Sequence, residues 1–201
     1  MHPATPMVPG KFGPYVLGLG LVALSGLLAC GGADPAATSS QSAPASASGL
    51  SYTPPVSNGY RLVADPSSTP TQLVLNLVGP TRASVSGVTL HAMCDQRKVA
   101  WVAPAGSTTL AKPGTALNLG TGLPLLQSNA PGLILNVAIF QKGNVAPATL
   151  GQQPVFSVAL NLKPGTAQGP VALKIMPGCQ VVDAAGNKSN IQVAVGTIVA
   201  N

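Results

Sequence analysis

The sequence predicts an all-β fold, a two-sheet β-sandwich of about nine short strands set behind a signal peptide and a flexible tether. Three observations lead there. The chain of 201 residues carries ten Lys and Arg, four Asp and no Glu, so it lacks the residues that solvate helix surfaces. Short apolar runs alternate with polar residues at a period of two. Gly and Pro, 23 and 20 in number, punctuate these runs, and no stretch of about a dozen residues keeps a helical apolar face free of them. With 46% hydrophobic residues the chain is no solvated disordered polymer.

Each strand has its own reason. Residues 73–78 alternate around Asn76 and stop at Gly79-Pro80. Residues 88–94 set Val88, Leu90, Ala92 and Cys94 on one side and Thr89, His91 and Met93 on the other. Residues 99–102 follow, then 117–119 and 123–126 between glycines. Residues 133–140 are almost continuously apolar. Residues 154–162 alternate, with Phe156, Val158 and Leu160 facing the core and Ser157 and Asn161 on the wetter side. Residues 171–175, 180–182 and 191–195 complete the set. Turn residues separate them at Lys163-Pro-Gly165, Gln168-Gly-Pro170, Met176-Pro-Gly178 and Asp183-Ala-Ala-Gly-Asn187. A domain spanning 59–201 buries about two-thirds of its unfolded surface, enough for one core.

The amino-terminal part reads as an address. Residues 15–29 are apolar and uncharged, follow Lys11, and are too short to cross a bilayer core of ~30 Å, as in the apolar region of a signal peptide covering 1–29. The run ends Leu27-Leu28-Ala29-Cys30-Gly31 and resembles the lipobox of bacterial lipoproteins: an aliphatic residue three before the cysteine, a small residue before it, then the cysteine. That resemblance implies acylation of Cys30, cleavage just before it, and membrane anchoring in which each buried methylene contributes ~0.8 kcal/mol. Gly31 stands where inner-membrane retention takes Asp, which implies the outer membrane. Residues 30–58, rich in Ser, Ala, Pro and Gly, are expected to form a flexible tether.

Within 59–201 the order of features is similar to the cohesin domain, a jelly-roll member of the carbohydrate-binding-module-like sandwich superfamily. The features are the strand ending in Leu75-Asn-Leu77, the strand 90–95 ending in Asp95, and the glycine-led strand 132–140. After them come strand 155–163 ending in Lys163, the Gly-Pro lead into 171–175, Asp183-Ala-Ala-Gly-Asn187, and the terminal run 195–199. The resemblance implies non-covalent protein recognition of the cohesin–dockerin kind on a sheet face. Cys94 and Cys179 remain if Cys30 is lipidated. An oxidising envelope favours a Cys94–Cys179 disulfide worth roughly 4 kcal/mol, and the resemblance places their strands side by side; two free buried thiols are the alternative.

The chemistry available is narrow. Past the tether the acids are Asp65, Asp95 and Asp183 and the histidine is His91, with no Gly-x-Ser-x-Gly elbow, so no catalytic constellation is expected. One histidine and two distant thiols imply no metal site, and nothing implies a cofactor. The formal charge of +6 comes from missing acids; only Arg97-Lys98 are adjacent, so no nucleic-acid footprint is expected. Binding remains. Thr89, His91, Met93, Asn136, Lys174 and Met176 are expected on one mixed, nearly charge-free face suited to a protein partner. Polysaccharide binding is the alternative, with Trp101 as the candidate stacking residue. A third reading is a structural accessory of a pilus or secretion complex.

Overall fold

The computed structural model describes residues 45–117, 119, 125–142 and 145–201. The expected signal peptide and the lipidated Cys30 lie outside the described residues. In chain order the strands are β1 (Leu50–Thr53), β2 (Tyr60–Ala64), β3 (Gln72–Val78), β4 (Ser84–Val85), β5 (Gly87–Cys94), β6 (Val99–Val102), β7 (Ala111–Pro113) and β8 (Leu125–Asn129). They continue with β9 (Ile134–Phe140), β10 (Ala148–Thr149), β11 (Phe156–Leu162), β12 (Gly169–Val171), β13 (Leu173–Ile175), β14 (Gln180–Val182), β15 (Lys188–Asn190), β16 (Val193–Ala194) and β17 (Thr197–Ala200). The all-β sandwich expected from the sequence is what the chain forms.

Two six-stranded sheets make the layers. The first runs β16-β2-β3-β11-β6, with β7 added on β11; the second runs β15-β14-β5-β9-β8, with β13 added on β5. A small sheet β1-β17-β12 and the pair β4-β10 complete the pairing. Period-two alternation points Leu62, Leu75, Leu77, Phe156, Val158 and Leu160 of the first sheet at Val88, Leu90, Leu135, Val137 and Ile139 of the second, all almost wholly buried. Each such Leu or Phe contributes roughly 1.5–3 kcal/mol by leaving water. Strand β3 is buried on both sides, and its Asn76 is tolerated because its polar atoms are paired. Its Nδ2 donates to Asp65 Oδ2 at 2.6 Å, and its Oδ1 accepts the Ser157 hydroxyl at 2.6 Å.

Several expected boundaries differ. Residues 50–53, expected to be tether, form β1, paired with β17 from Leu50↔Ala200 to Thr53↔Thr197. Tyr52 fixes that strand: its hydroxyl donates to the Leu62 carbonyl at 2.8 Å and accepts the Gly196 amide at 2.9 Å. Glycine is required at 196, where a Cβ would lie 1.9 Å from the Thr53 carbonyl oxygen. The expected strand 171–175 is split at Ala172, because β12 pairs β17 while β13 crosses to β5. Residue 118 of the expected strand 117–119 and residues 123–124 of the expected strand 123–126 lie outside the described residues, and the second strand runs Leu125–Asn129. Of 191–195 only Val193–Ala194 is strand, lying parallel to Tyr60–Arg61.

Candidate functional site

The second sheet turns one face to the core and the other outward. In β5 the buried Val88, Leu90, Ala92 and Cys94 alternate with half-buried Thr89, His91 and Met93. In β9 the buried Leu135, Val137 and Ile139 alternate with Ile134, Asn136, Ala138 and Phe140. Register lines these up in rows. Gln180, Thr89, Ala138 and Gln127 form one row. His91, Asn136 and Asn129 form the next, extended by Met176, whose amide donates to the His91 carbonyl at 2.8 Å. Lys174, Met93 and Ile134 form a third. The six residues expected on one face are therefore brought together.

A polar file crosses the middle of this face. His91 Nδ1 stands 2.6 Å from Asn136 Oδ1, and Asn136 Nδ2 donates to Asn129 Oδ1 at 3.2 Å. An amide oxygen only accepts, so the imidazole proton sits on Nδ1 and Nε2 is left as the open position of the ring. The Thr89 hydroxyl accepts the Gln180 amide at 3.0 Å. Lys174 and Lys188 lie at the margins, and among the described residues no carboxylate occupies an outward position of these strands. A depression of about 520 Å³ opens among Thr89, His91, Gln127, Asn129 and Asn136.

Strands β13 and β14 are two pieces of one strand laid along β5. Leu173–Ile175 pair with 94–92 and Gln180–Val182 pair with 89–87. Between them Met176-Pro-Gly-Cys179 bulges out opposite Leu90 and His91. Cys179 Sγ accepts the His91 amide at 3.3 Å. This register corrects the expected Cys94–Cys179 disulfide. Both thiols are free and buried; Cys94 faces Leu173, whereas Cys179 abuts His91. Three residues along a strand span ~10 Å, beyond the ~7 Å that bridged Cα atoms tolerate. Burial pushes both thiols up, Cys94 to about 11, so both stay protonated and unreactive at neutral pH.

Trp101 is also corrected as a stacking residue. It pairs with Leu160 on the first sheet, so it points to the core side, where it packs against the core with its ring N–H buried. The acids occupy three separate turns. Asp65 is held below the usual carboxylate range by the Ser67 hydroxyl and amide and by Asn76, Asp95 by Arg97, and Asp183 by the side chain and amide of Asn187. Among the described residues no three His, Cys, Asp or Glu side chains gather as a metal cluster.

No protein-family model and no curated protein sequence matches the chain. Solved structures do resemble it. A type II cohesin domain from the cellulosome of Acetivibrio cellulolyticus aligns with a TM-score of 0.55 at 15% identity, over 70% of this chain and 93% of that one. The fold is that of a cohesin domain. A cohesin of Clostridium thermocellum, solved in a type I cohesin–dockerin complex, aligns with a TM-score of 0.53 at 11% identity, over 69% of this chain and 95% of that one. The sixth cohesin of A. cellulolyticus scaffoldin B, solved with a Cel5 dockerin, aligns with a TM-score of 0.52 at 15% identity over 69% and 95%.

The cohesin-like sheet also exposes residues that sequence reasoning passed over. Gln127 and Asn129 lie on β8, whose polar run Gln127-Ser-Asn129 carries no strand signal, and Phe140 ends β9 on the outward side. Parity along β9, counted from Asn136, is the signal that finds Phe140.

Proposed function

We propose that the chain is a non-catalytic, lipid-anchored recognition module of the bacterial envelope that docks a protein partner on the outward face of the second sheet. The observation that carries this reading is the composition of that face. Thr89, His91, Met93 and Asn136 stand half-buried at its centre, lysines are confined to the margin, and no carboxylate occurs among its described outward positions. The centres of protein interfaces are depleted of charge in this way, and Met93 and Met176 adapt their shape to what they contact. A dockerin-like domain is the partner class suggested by the solved complexes of similar fold. Catalysis fits poorly: each aspartate is kept ionised by its own turn, whereas a general acid needs a raised pKa and a partner group.

Acylated Cys30 would hold the domain at the outer membrane, with the residues after it as spacer. Two measurements test the reading. His91→Asp combined with Met93→Asp places carboxylates in the face and is expected to abolish capture of a dockerin or envelope protein by the full-length chain, with the circular dichroism melt retained. Unchanged capture sinks the docking face. Labelling with radioactive palmitate is expected in the natural chain and absent in Cys30→Ser; equal labelling of both rules out the anchor.

A further inference from the structure

The outward face is a trough on its β8–β9 side. The depression of about 520 Å³ is adjoined by a second of about 250 Å³ among Leu125, Gln127, Ala138 and Phe140. Gln127 and Ala138 line both, so the two are continuous. Together they follow β9 from Asn136 to Phe140, a run of ~14 Å. The larger depression alone falls within the ~300–1,000 Å³ of small-molecule sites.

The lining is of one chemical kind. The polar lining residues are the amides Gln127, Asn129 and Asn136, the hydroxyl residues Thr89, Thr109 and Ser128, and the imidazole of His91, and no charged side chain lines either depression. The His91–Asn136–Asn129 file is already oriented, leaving His91 Nε2 and the Asn129 Nδ2 amide outside the file at its two ends. At the far end lies the Phe140 ring. Gly87 stands directly across from it, and a Cβ there would fall 2.0 Å from Cδ1 and 2.6 Å from Cε1. The ring therefore leans over a glycine that has no side chain to lift it, and its other side lines the smaller depression. Ala138, between Phe140 and Asn136, keeps the floor low.

We propose that this trough binds a short neutral oligosaccharide. Phe140 provides an apolar platform for the C–H face of one sugar ring. Gln127, Asn129, Thr89 and His91 exchange hydrogen bonds with the hydroxyls of the next. Donors and acceptors without net charge suit hydroxyl groups, and the lack of a basic lining residue disfavours uronic or sulfated sugars. The site goes beyond the protein-docking reading: it shares Thr89 and His91 with the docking face but extends from them toward β8, and Met93, Lys174 and Met176 do not line it.

Isothermal titration calorimetry on the full-length protein in a sugar-free detergent tests it, with cellohexaose, xylohexaose and chitohexaose as probes and oligogalacturonate as the anionic control. Saturable, salt-insensitive binding to at least one neutral probe is expected. Phe140→Ala is expected to weaken it about tenfold or more. Gln127→Ala with Asn129→Ala, both on an exposed edge strand, is expected to weaken it while leaving the fold intact. Gly87→Ala, which displaces the ring without removing a sugar contact, is expected to weaken it too. Met93→Asp is expected to leave sugar binding unchanged, so this site and the docking face fail separately. The proposal is overturned if no neutral probe binds, if oligogalacturonate binds as tightly, or if affinity survives both Phe140→Ala and the double amide substitution.

Discussion

Tyr52→Phe removes one oxygen from the domain and tests whether Tyr52 pins β1 to the rest of it. The hydroxyl joins three segments: it sits on β1, donates to the Leu62 carbonyl of β2 at 2.8 Å, and accepts the Gly196 amide ahead of β17 at 2.9 Å. The ring stays, so apolar burial is unchanged and the loss is confined to two hydrogen bonds. Each is worth a net ~0.5–1.5 kcal/mol, which gives about 1–3 kcal/mol for the pair. For a domain of this size ~1 kcal/mol shifts the melting temperature by ~2–4 °C. Urea unfolding followed by far-ultraviolet circular dichroism measures the difference. The expected result is a lower midpoint with an unchanged denaturant slope. A change below about 0.3 kcal/mol, small against the value of even one such bond, would show that Tyr52 does not pin β1 to the rest of the domain.

Other expectations follow from the same contacts. Gly196→Ala drives a Cβ into the Thr53 carbonyl and is expected to cost at least ~2 kcal/mol, more than Tyr52→Phe, in the same urea experiment. Asp65 has a folded pKa below its unfolded value, so its contribution is present above pH ~4 and is lost as pH falls through the folded value; thermal melts from pH 6 to 2 are expected to show that loss, and Asp65→Ala to flatten it. Because Cys94 and Cys179 are free, and Cys179 lies against His91, three residues along β5 from Cys94, dithiothreitol is expected to leave the melting temperature unchanged, and a drop of several degrees would show a disulfide after all.

Strands that alternate strictly against a core were legible residue by residue. Val99–Val102 and Gln180–Val182 stand where the sequence placed them, and the two sides of 88–94 sort by burial as their parity requires. That parity is also why the six candidate face residues were found together. Features set by long-range register were not legible. The expected strand 123–126 reached only Leu125 and Leu126 of edge strand β8; the polar remainder, Gln127-Ser-Asn129, is held by pairing with β9 and carries no period-two hydrophobicity. The four-residue strand of Trp101 gives too little parity to tell core from solvent until Leu160 is seen opposite. The thiols do lie on neighbouring segments, Cys94 at the end of β5 and Cys179 in the bulge 176–179 beside it, but the bulge displaces them along the strand direction, and spacing in sequence carries no such information. Leu50-Ser-Tyr-Thr53 reads as a continuation of a Ser- and Pro-rich tether because its partner, β17, is at the other end of the chain.

On the proposed reading, the outward face of the second sheet is where a partner docks. Hydroxyl-radical footprinting of the full-length protein, free and with a bound dockerin or envelope partner, tests it most directly, because Met93, Met176 and His91 are oxidation-sensitive reporters on that face. Partner binding is expected to lower oxidation of these three while leaving Tyr60 and Trp101 of the first sheet unchanged. Undiminished oxidation of Met93, Met176 and His91 in the complex would contradict it.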